Sequence, residues 1–340
     1  LPTDAFAFEI TIVTDALEDS IVKPLESLEN ALKDENLQLP NRLNAMRILE
    51  QADAGWVAKF LKRLLEDPEI HSDIARSAYS ALLKLGDAEG IKAPEAFQRL
   101  RIVTSKIDQA PMVLIPAGTF LYGSREDDKI ARSNEKPQRV IDLSAFYMDK
   151  YPVTNERYAV FLNTEKPAKE DLKKWIDLSG SFLKEKSRIS LRKNQFYFDT
   201  GYENHPVLFV SWYGAKAYAK WAGKRLPTEQ EWEKAARGTD GRIYPWGNTF
   251  DKNLCNTEEA GPGYTTPVDQ NPAGKSPFGC RDMIGNVWEW TDSWYDNEQK
   301  YKVLSGGSWV NSAESCRCAA TNSGNPDYRN VNIGFRCARI

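Results

Sequence analysis

Apolar positions recur at helical spacing through the first third of the chain and then give way to short alternating runs. Residues 6–13 (FAFEITIV) alternate loosely and predict one strand. From Asp15 to Leu32, Leu17, Val22, Leu25, Leu28 and Leu32 form one stripe. Three further amphipathic helices are expected over residues 41–52, 54–66 and 72–85. Their stripes run Leu43, Met46, Leu49; then Val57, Phe60, Leu61, Leu64; then Ile74, Ala78, Leu82, Leu85. Asp67-Pro68 and Gly86-Asp87 supply the stops, because Pro and Gly interrupt helical hydrogen bonding. This front part reads as a helical adaptor, assigned to residues 1–108.

Beyond Pro111 the pattern changes. Met112–Gly123 predicts strand, turn, strand, and Val140–Met148 predicts another strand. Thr154 is placed to cap a helix whose Tyr158, Phe161 and Leu162 face inward. Residues 169–178 are expected to be helical, and Ile189–Phe198 to form a hairpin turning at Lys193-Asn194. Ser211 opens a helix with Trp212, Ala215, Tyr218 and Trp221 on one side and Gly223 as its stop. Thr228 and Glu231 stand at capping-box spacing ahead of a helix ended by Gly238. From Tyr244 onward Gly, Pro, Asn and Trp crowd together. Such a stretch needs its tryptophans, or an ion, to hold it.

Composition narrows the function classes. The 340 residues carry 45 basic and 48 acidic side chains, a net charge of −3, so no basic footprint for nucleic acid exists. No apolar run reaches membrane-span length, and no signal peptide is visible. The first residue is Leu1, as expected of a trimmed piece that an effector or adaptor domain precedes in a longer parent chain. Five cysteines leave one unpaired and favour a reducing, cytoplasmic setting, with surface display as the alternative if a signal was removed. No phosphate-binding glycine loop is present, so no nucleotide is expected. The two histidines, His71 and His205, sit in structural-looking contexts, and Glu229, Glu231, Glu233 and Glu289 pair only on paper.

Two resemblances follow from these residues. The phrasing LLEDPEI and LLKLGDAEG in the front part resembles HEAT-like helical repeats. The motifs MVLIPAGTF, YPVTNERYAVFLN, HPVLFVSWYGAKAYAKWAGKRLPTEQEWEKAARG, YPWGN, GNVWEW and GGSW…NIGFRCAR resemble the formylglycine-generating-enzyme (sulfatase-modifying-factor) family over residues 109–340. The implied fold class is α+β: a helical HEAT-like segment, then a mixed α/β, C-type-lectin-like domain low in regular structure. The catalytic relatives use a cysteine pair after the GGS turn to bind copper, and soft thiolates suit Cu(I). Here Cys316 matches the second position, but the first is Asn311, so no copper is expected. A sister branch uses three histidines for iron, and two histidines exclude it. The resemblance implies calcium at Asp282 and Glu289 with the carbonyls of Gly285 and Val287, a hard oxygen set. The alternative is that Glu289 hydrogen-bonds the turn itself. A second, doubtful metal position falls at Asn256 and Thr257.

The C-terminal stretch 303–340 resembles the hypervariable segment of the variable proteins of diversity-generating retroelements, in the form GGSW…CR…NPD.RN.NIGFR. Positions matching the diversified type are Ser305, Val310, Asn311, Ser312, Ser315, Ala320, Thr321, Ser323, Gly324, Tyr328 and Val331. Frame residues Gly306, Gly307, Ser308, Trp309, Arg317, Pro326, Asp327, Arg329, Ile333, Gly334 and Phe335 stand between them. Small polar residues with a few aromatics are what adaptable binding faces use. The resulting expectation is a non-catalytic recognition protein that binds a protein or other macromolecular ligand through this surface. The rivals are an oxidase with displaced cysteines and a structural subunit.

Overall fold

The computed structural model describes residues 102–182 and 185–340, together with residues 58, 61–63 and 78. Those five early residues are helical, and Ala58, Leu61 and Ala78 are buried. The expected strand at 6–13, the remaining helical stripes, the HEAT-like phrasing and His71 lie outside the described residues. The chain divides into two compact units, Leu1–Leu100 and Arg101–Ile340.

The second unit opens with β1 (Ile102–Thr104), β2 (Pro111–Ile115) and β3 (Gly118–Tyr122). The single strand expected over 140–148 is two, β4 (Arg139–Leu143) and β5 (Phe146–Asp149), broken at Ser144-Ala145. The break lets the two halves serve different sheets: β4 pairs with β3, and β5 with β2. Helix α1 (Asn155–Glu165) starts where the Thr154 hydroxyl accepts from the Arg157 amide. Helix α2 (Lys169–Trp175) follows, then the two-residue strands β6 (Ser181–Phe182) and β7 (Glu185–Lys186). The hairpin β8 (Ile189–Arg192) and β9 (Gln195–Phe198) turns at Lys193 and Asn194. Both turn residues have positive φ, 48° and 60°, as a tight two-residue turn with matching twist demands.

Helix α3 (Trp212–Trp221) is capped by Ser211, and α4 (Glu229–Arg237) carries the complete Thr228/Glu231 capping box. A long irregular stretch leads to β10 (Trp288–Trp294), β11 (Lys302–Ser305), β12 (Thr321–Gly324), β13 (Ile333–Phe335) and β14 (Ala338–Arg339). One four-stranded sheet has the order β1-β2-β5-β14 and the other β12-β11-β10-β13. The result is a mixed α+β unit with few helices.

The core is aromatic. Tyr158 of α1 stacks on Tyr218 of α3 at 5.8 Å, and Phe335 of β13 meets Tyr218 edge-on at 5.4 Å. Charged groups inside this unit find partners. Lys224 bridges Asp108 and Asp149 at 2.7 Å each, with all three side chains buried. In the irregular stretch, Tyr244 stacks on Trp246 and packs on Phe250, so rings reinforce a segment whose regular pairing is a single bridge between Tyr244 and Gly247.

Candidate functional site

The C-terminal segment leaves β11, makes a broad loop, returns as β12 and turns again before β13. Gly306 and Gly307 have φ of +98° and +73°. A Cβ at Gly307 would lie 2.4 Å from the Cys316 sulfur, so the turn tolerates only glycine there. The loop is fastened from outside the segment. The Arg317 guanidinium grips both oxygens of Glu135 at 2.6 and 2.7 Å and also donates to the carbonyls of Ile130 and Glu314. That ion pair is buried, and it is bidentate, the strong geometry for arginine and carboxylate. Ala313 donates its amide to Glu259, and the Asn311 carbonyl accepts from the Glu258 amide.

The expected face divides. Val310, Asn311, Ser312, Ser315 and Ser323 are half-exposed, and Tyr328 is 46 % exposed. Five other expected positions are interior, which corrects the reading. Ser305 sits in β11, paired to Glu289 on one side and Thr321 on the other. Ala320 is fully buried, and the Thr321 hydroxyl accepts from Asn134 at 2.8 Å. Gly324 lies against the Trp290 ring, where a Cβ would sit at 2.7 Å. Val331 is 2 % exposed and packs with Leu208, Phe209, Val287 and Trp309.

Other residues join the face. Asn322 and Asn325 are exposed and had the right residue type to be noticed. Arg132, which donates to the Ser315 hydroxyl at 3.1 Å, and Asn134 come from the loop after β3, nearly two hundred residues away by sequence. No local signal marks them. Beside Tyr328 a groove of about 590 Å³ is lined by Leu172, Lys173, Ile176, Leu178, Asp327 and Arg329, among others. Arg329 donates to the Lys173 carbonyl, and the Pro326 carbonyl accepts from the Trp212 amide, so the turn carrying Tyr328 is tied at both ends.

The positions that catalysis or a metal would need are otherwise engaged. Cys316 is buried, with its thiol directed at the carbonyls of Ser308 and Asn311. Burial raises its pKa far above the ordinary thiol value, and nearby Cys255 pushes the same way. Asn311, bonded to the Ser308 hydroxyl, offers an amide where a thiolate would be needed. This donor set does not fit copper. The carboxylates that pair on paper each have a partner: Glu229 with Tyr122, Glu231 with Arg225, Glu233 with Arg237 and Glu289 with Arg336.

Glu289, one of the carboxylates expected at calcium, already has protein partners. Its two oxygens accept from Arg336 at 2.7 Å each, and one accepts as well from the Trp232 indole at 2.7 Å. A cation would compete with a buried guanidinium already in place. Asp282, at φ +50°, is pushed up to about 7 by burial against the pull of Arg336. Its Oδ2 has no partner, but it is one carboxylate where the expected set needs two. Gly285 donates to the Gly306 carbonyl, and Val287 packs in the apolar cluster with Trp309. Among the described residues no three His, Cys, Asp or Glu side chains gather to hold a metal. At this position Glu289 is thus engaged with Arg336 and Trp232, while the Asp282 Oδ2 stays unpartnered. At the second position Asn256 and Thr257 are buried, with the Asn256 amide donating to the Tyr264 carbonyl and to Asn286.

A model of the sulfatase-modifying factor enzyme 1-like domain matches residues 100–340. The chain belongs to that family. It is 39% identical over 246 residues to "Serine/threonine-protein kinase pkn1" of Chlamydia caviae, covering 67% of this chain and 38% of that protein. It therefore spans well under half the length of that relative. It is 34% identical to "Inactive C-alpha-formylglycine-generating enzyme 2" of Bos taurus, covering 67% and 87%, and 33% identical to "Formylglycine-generating enzyme" of Mus musculus, covering 67% and 74%. Among solved structures, PvdO from Pseudomonas aeruginosa matches with a TM-score of 0.57 at 24% identity, covering 70% of this chain and 97% of that one. Treponema denticola variable protein 1 matches with a TM-score of 0.54 at 21% identity, covering 70% and 98%. These likenesses establish a shared fold. Among the described residues no helix is long and apolar enough to cross a membrane.

Proposed function

We propose that this protein is a non-catalytic recognition module, the target-binding variable protein of a diversity-generating retroelement, which takes a macromolecular target, most simply a protein, on its C-terminal face. The observation that carries the reading is the way the segment is held. Arg317, Trp309 and the β11–β12 pairing fix its frame, while Val310, Asn311, Ser312, Ser315, Ser323 and Tyr328 reach the surface between the fixed points. A rigid scaffold with interchangeable surface residues binds with little ordering entropy. The family contains enzymes as well as a member named inactive. Here the Asn311 amide and the buried Cys316 thiol argue for the second kind.

The test is to sequence the coding segment for residues 303–340 in independent isolates, together with its flanking DNA. Substitutions confined to the six surface positions, Asn322 and Asn325, with a near-copy of the segment nearby, are expected. An invariant segment overturns the variable-protein reading. Oxygen uptake on a cysteine peptide with Cu(I), lost in Cys316→Ser, would instead establish an oxidase.

A further inference from the structure

The groove beside Tyr328 has two walls, residues 172–179 and the turn at Asp327–Arg329. One backbone run holds both. The Phe209 amide donates to the Asn330 carbonyl, and the Phe209 carbonyl accepts from the Asp177 amide. Farther along, the Ser211 amide donates to the Trp175 carbonyl and the Trp212 amide to the Pro326 carbonyl. Phe209–Trp212 therefore reaches both walls and sets the distance between them. Phe209 stands at φ +58°, a strained value for a bulky residue. Such strain persists only where the surroundings over-determine it, and it clusters at ligand sites. Arg329 adds a direct tie between the walls, to the Lys173 carbonyl.

The lining divides by chemistry. Leu172 and Leu178 are half-buried, packed on the aromatic core and lining the groove. On the other wall Tyr328 is 46 % exposed, and its hydroxyl accepts from the Asn330 side chain, which holds the ring in place. Each wall also carries one cation and one anion: Lys173 and Asp177 on the first, Arg329 and Asp327 on the second. Among the described residues none of these four side chains forms an ion pair. Asp177 accepts only from the amide and hydroxyl of Ser179. An apolar lining between unpaired charges of both signs complements an apolar side chain with charged neighbours.

We propose that this groove is the anchor pocket of the recognition face, taking a bulky apolar side chain that a protein target presents between an acidic and a basic residue. The inference rests on the recognition reading above and gives it a target chemistry. Of the lining, only Tyr328 belongs to the positions expected to vary. Leu172, Lys173, Asp177 and Leu178 come from outside the segment, and Asp327 and Arg329 from its frame. A fixed pocket with one exchangeable wall keeps its binding energy while residue 328 selects the side chain that fits. Because the walls are tied before a target arrives, little ordering entropy opposes binding.

The experiment is an NMR titration of the full chain, read at the Leu172 and Leu178 methyl groups and the Tyr328 ring. The probes are the blocked tripeptides Lys-Leu-Glu, its reverse Glu-Leu-Lys, Gly-Leu-Gly and Lys-Gly-Glu. Saturable shifts are expected with every leucine peptide, and the better of the two charged ones should bind more tightly than Gly-Leu-Gly. Replacing leucine by glycine should weaken binding about tenfold, the worth of partly burying one such side chain. Tyr328→Ala should weaken all leucine peptides by about threefold or more. Lys173→Gln, at an exposed side chain, should weaken the charged peptides alone. No saturable shift, equal binding of Lys-Gly-Glu, no advantage for the charged leucine peptides, or indifference to either substitution would each overturn the proposal. Groove resonances that move on dilution of the protein alone would make a second copy the occupant and overturn it as well. An invariant segment with a leucine-selective groove would remove the variable-protein reading and leave this pocket. A variable segment with no peptide binding would do the reverse.

Discussion

Ala319–Gly324 and Asn325–Asn330 are adjacent, similar in composition and opposite in fate. The first run, AATNSG, enters the sheet as β12. Its Ala319, Ala320, Thr321 and Gly324 are buried against β11 and the Trp290 ring. The second, NPDYRN, makes a turn whose Asn325, Asp327 and Tyr328 stand in solvent. Side-chain polarity does not separate them. Partners do: β11 offers Lys302–Ser305 to the first run as a ladder, whereas the second is tied at single points, to the Trp212 and Phe209 amides and the Lys173 carbonyl. A small polar residue is compatible with either place, because it buries cheaply when hydrogen-bonded and solvates cheaply when not.

The largest effect that would break this comparison lies just before β12. Arg317→Ala leaves Glu135 as a buried, unpaired carboxylate, and breaking such a pair costs roughly 3–5 kcal/mol. Urea unfolding should show that loss with an unchanged m-value. A loss under about 1 kcal/mol, the range of exposed pairs, would mean that β12 is held by the sheet alone. Val331→Ser comes next. It places a hydroxyl among Leu208, Phe209, Val287 and Trp309 and should cost about 2–3 kcal/mol. If it were silent, Val331 would return to the surface residues.

Arg317 and Val331 also show what was legible in the sequence. Caps and turns were, because Thr154, Ser211, Thr228/Glu231 and Lys193-Asn194 act over three or four residues. The inward sides of α1 and α3 followed from their spacing. The division of 140–148 into two strands was not legible, since only the positions of β2 and β3 demand it. The partners of Arg317, Glu289 and Thr321 were likewise hidden: Glu135, Arg336 and Asn134 lie between 47 and 187 residues away. For the candidate face, residue type located the segment, and strand pairing selected which of its residues point outward.

A smaller effect appears through pH at His205, away from both runs. The folded state holds His205 with a lowered pKa, so it binds its proton less readily than the unfolded chain does. Above about pH 6.5, the ordinary imidazole value, neither state is protonated and the group contributes nothing. As pH falls below that value the unfolded state gains the proton first, and stability declines through the folded pKa. Thermal melts from pH 7.5 to 5 should therefore fall more steeply for the native chain than for His205→Gln. Equal slopes would mean that burial does not hold the imidazole neutral in the folded state.

The smallest effect on stability carries the most information about function. Tyr328 is bonded through its hydroxyl only to the Asn330 side chain, itself half-exposed, and its ring forms one side of the Leu172–Ile176 groove. Tyr328→Ala should change stability by no more than about 0.5 kcal/mol, the range of exposed substitutions. Aromatic residues dominate the energetics of recognition surfaces, so the same change should weaken an identified target by about tenfold or more, while Ser312→Ala or Ser323→Ala changes it little. Both quantities must be measured on one preparation, by urea unfolding and by titration of the target. A large loss of stability would make the turn part of the frame, as β12 is, and the contrast between the two runs would vanish. Unchanged stability with unchanged target binding would leave the turn exposed but idle, and move the recognition surface toward Arg132, Asn134 and Ser315.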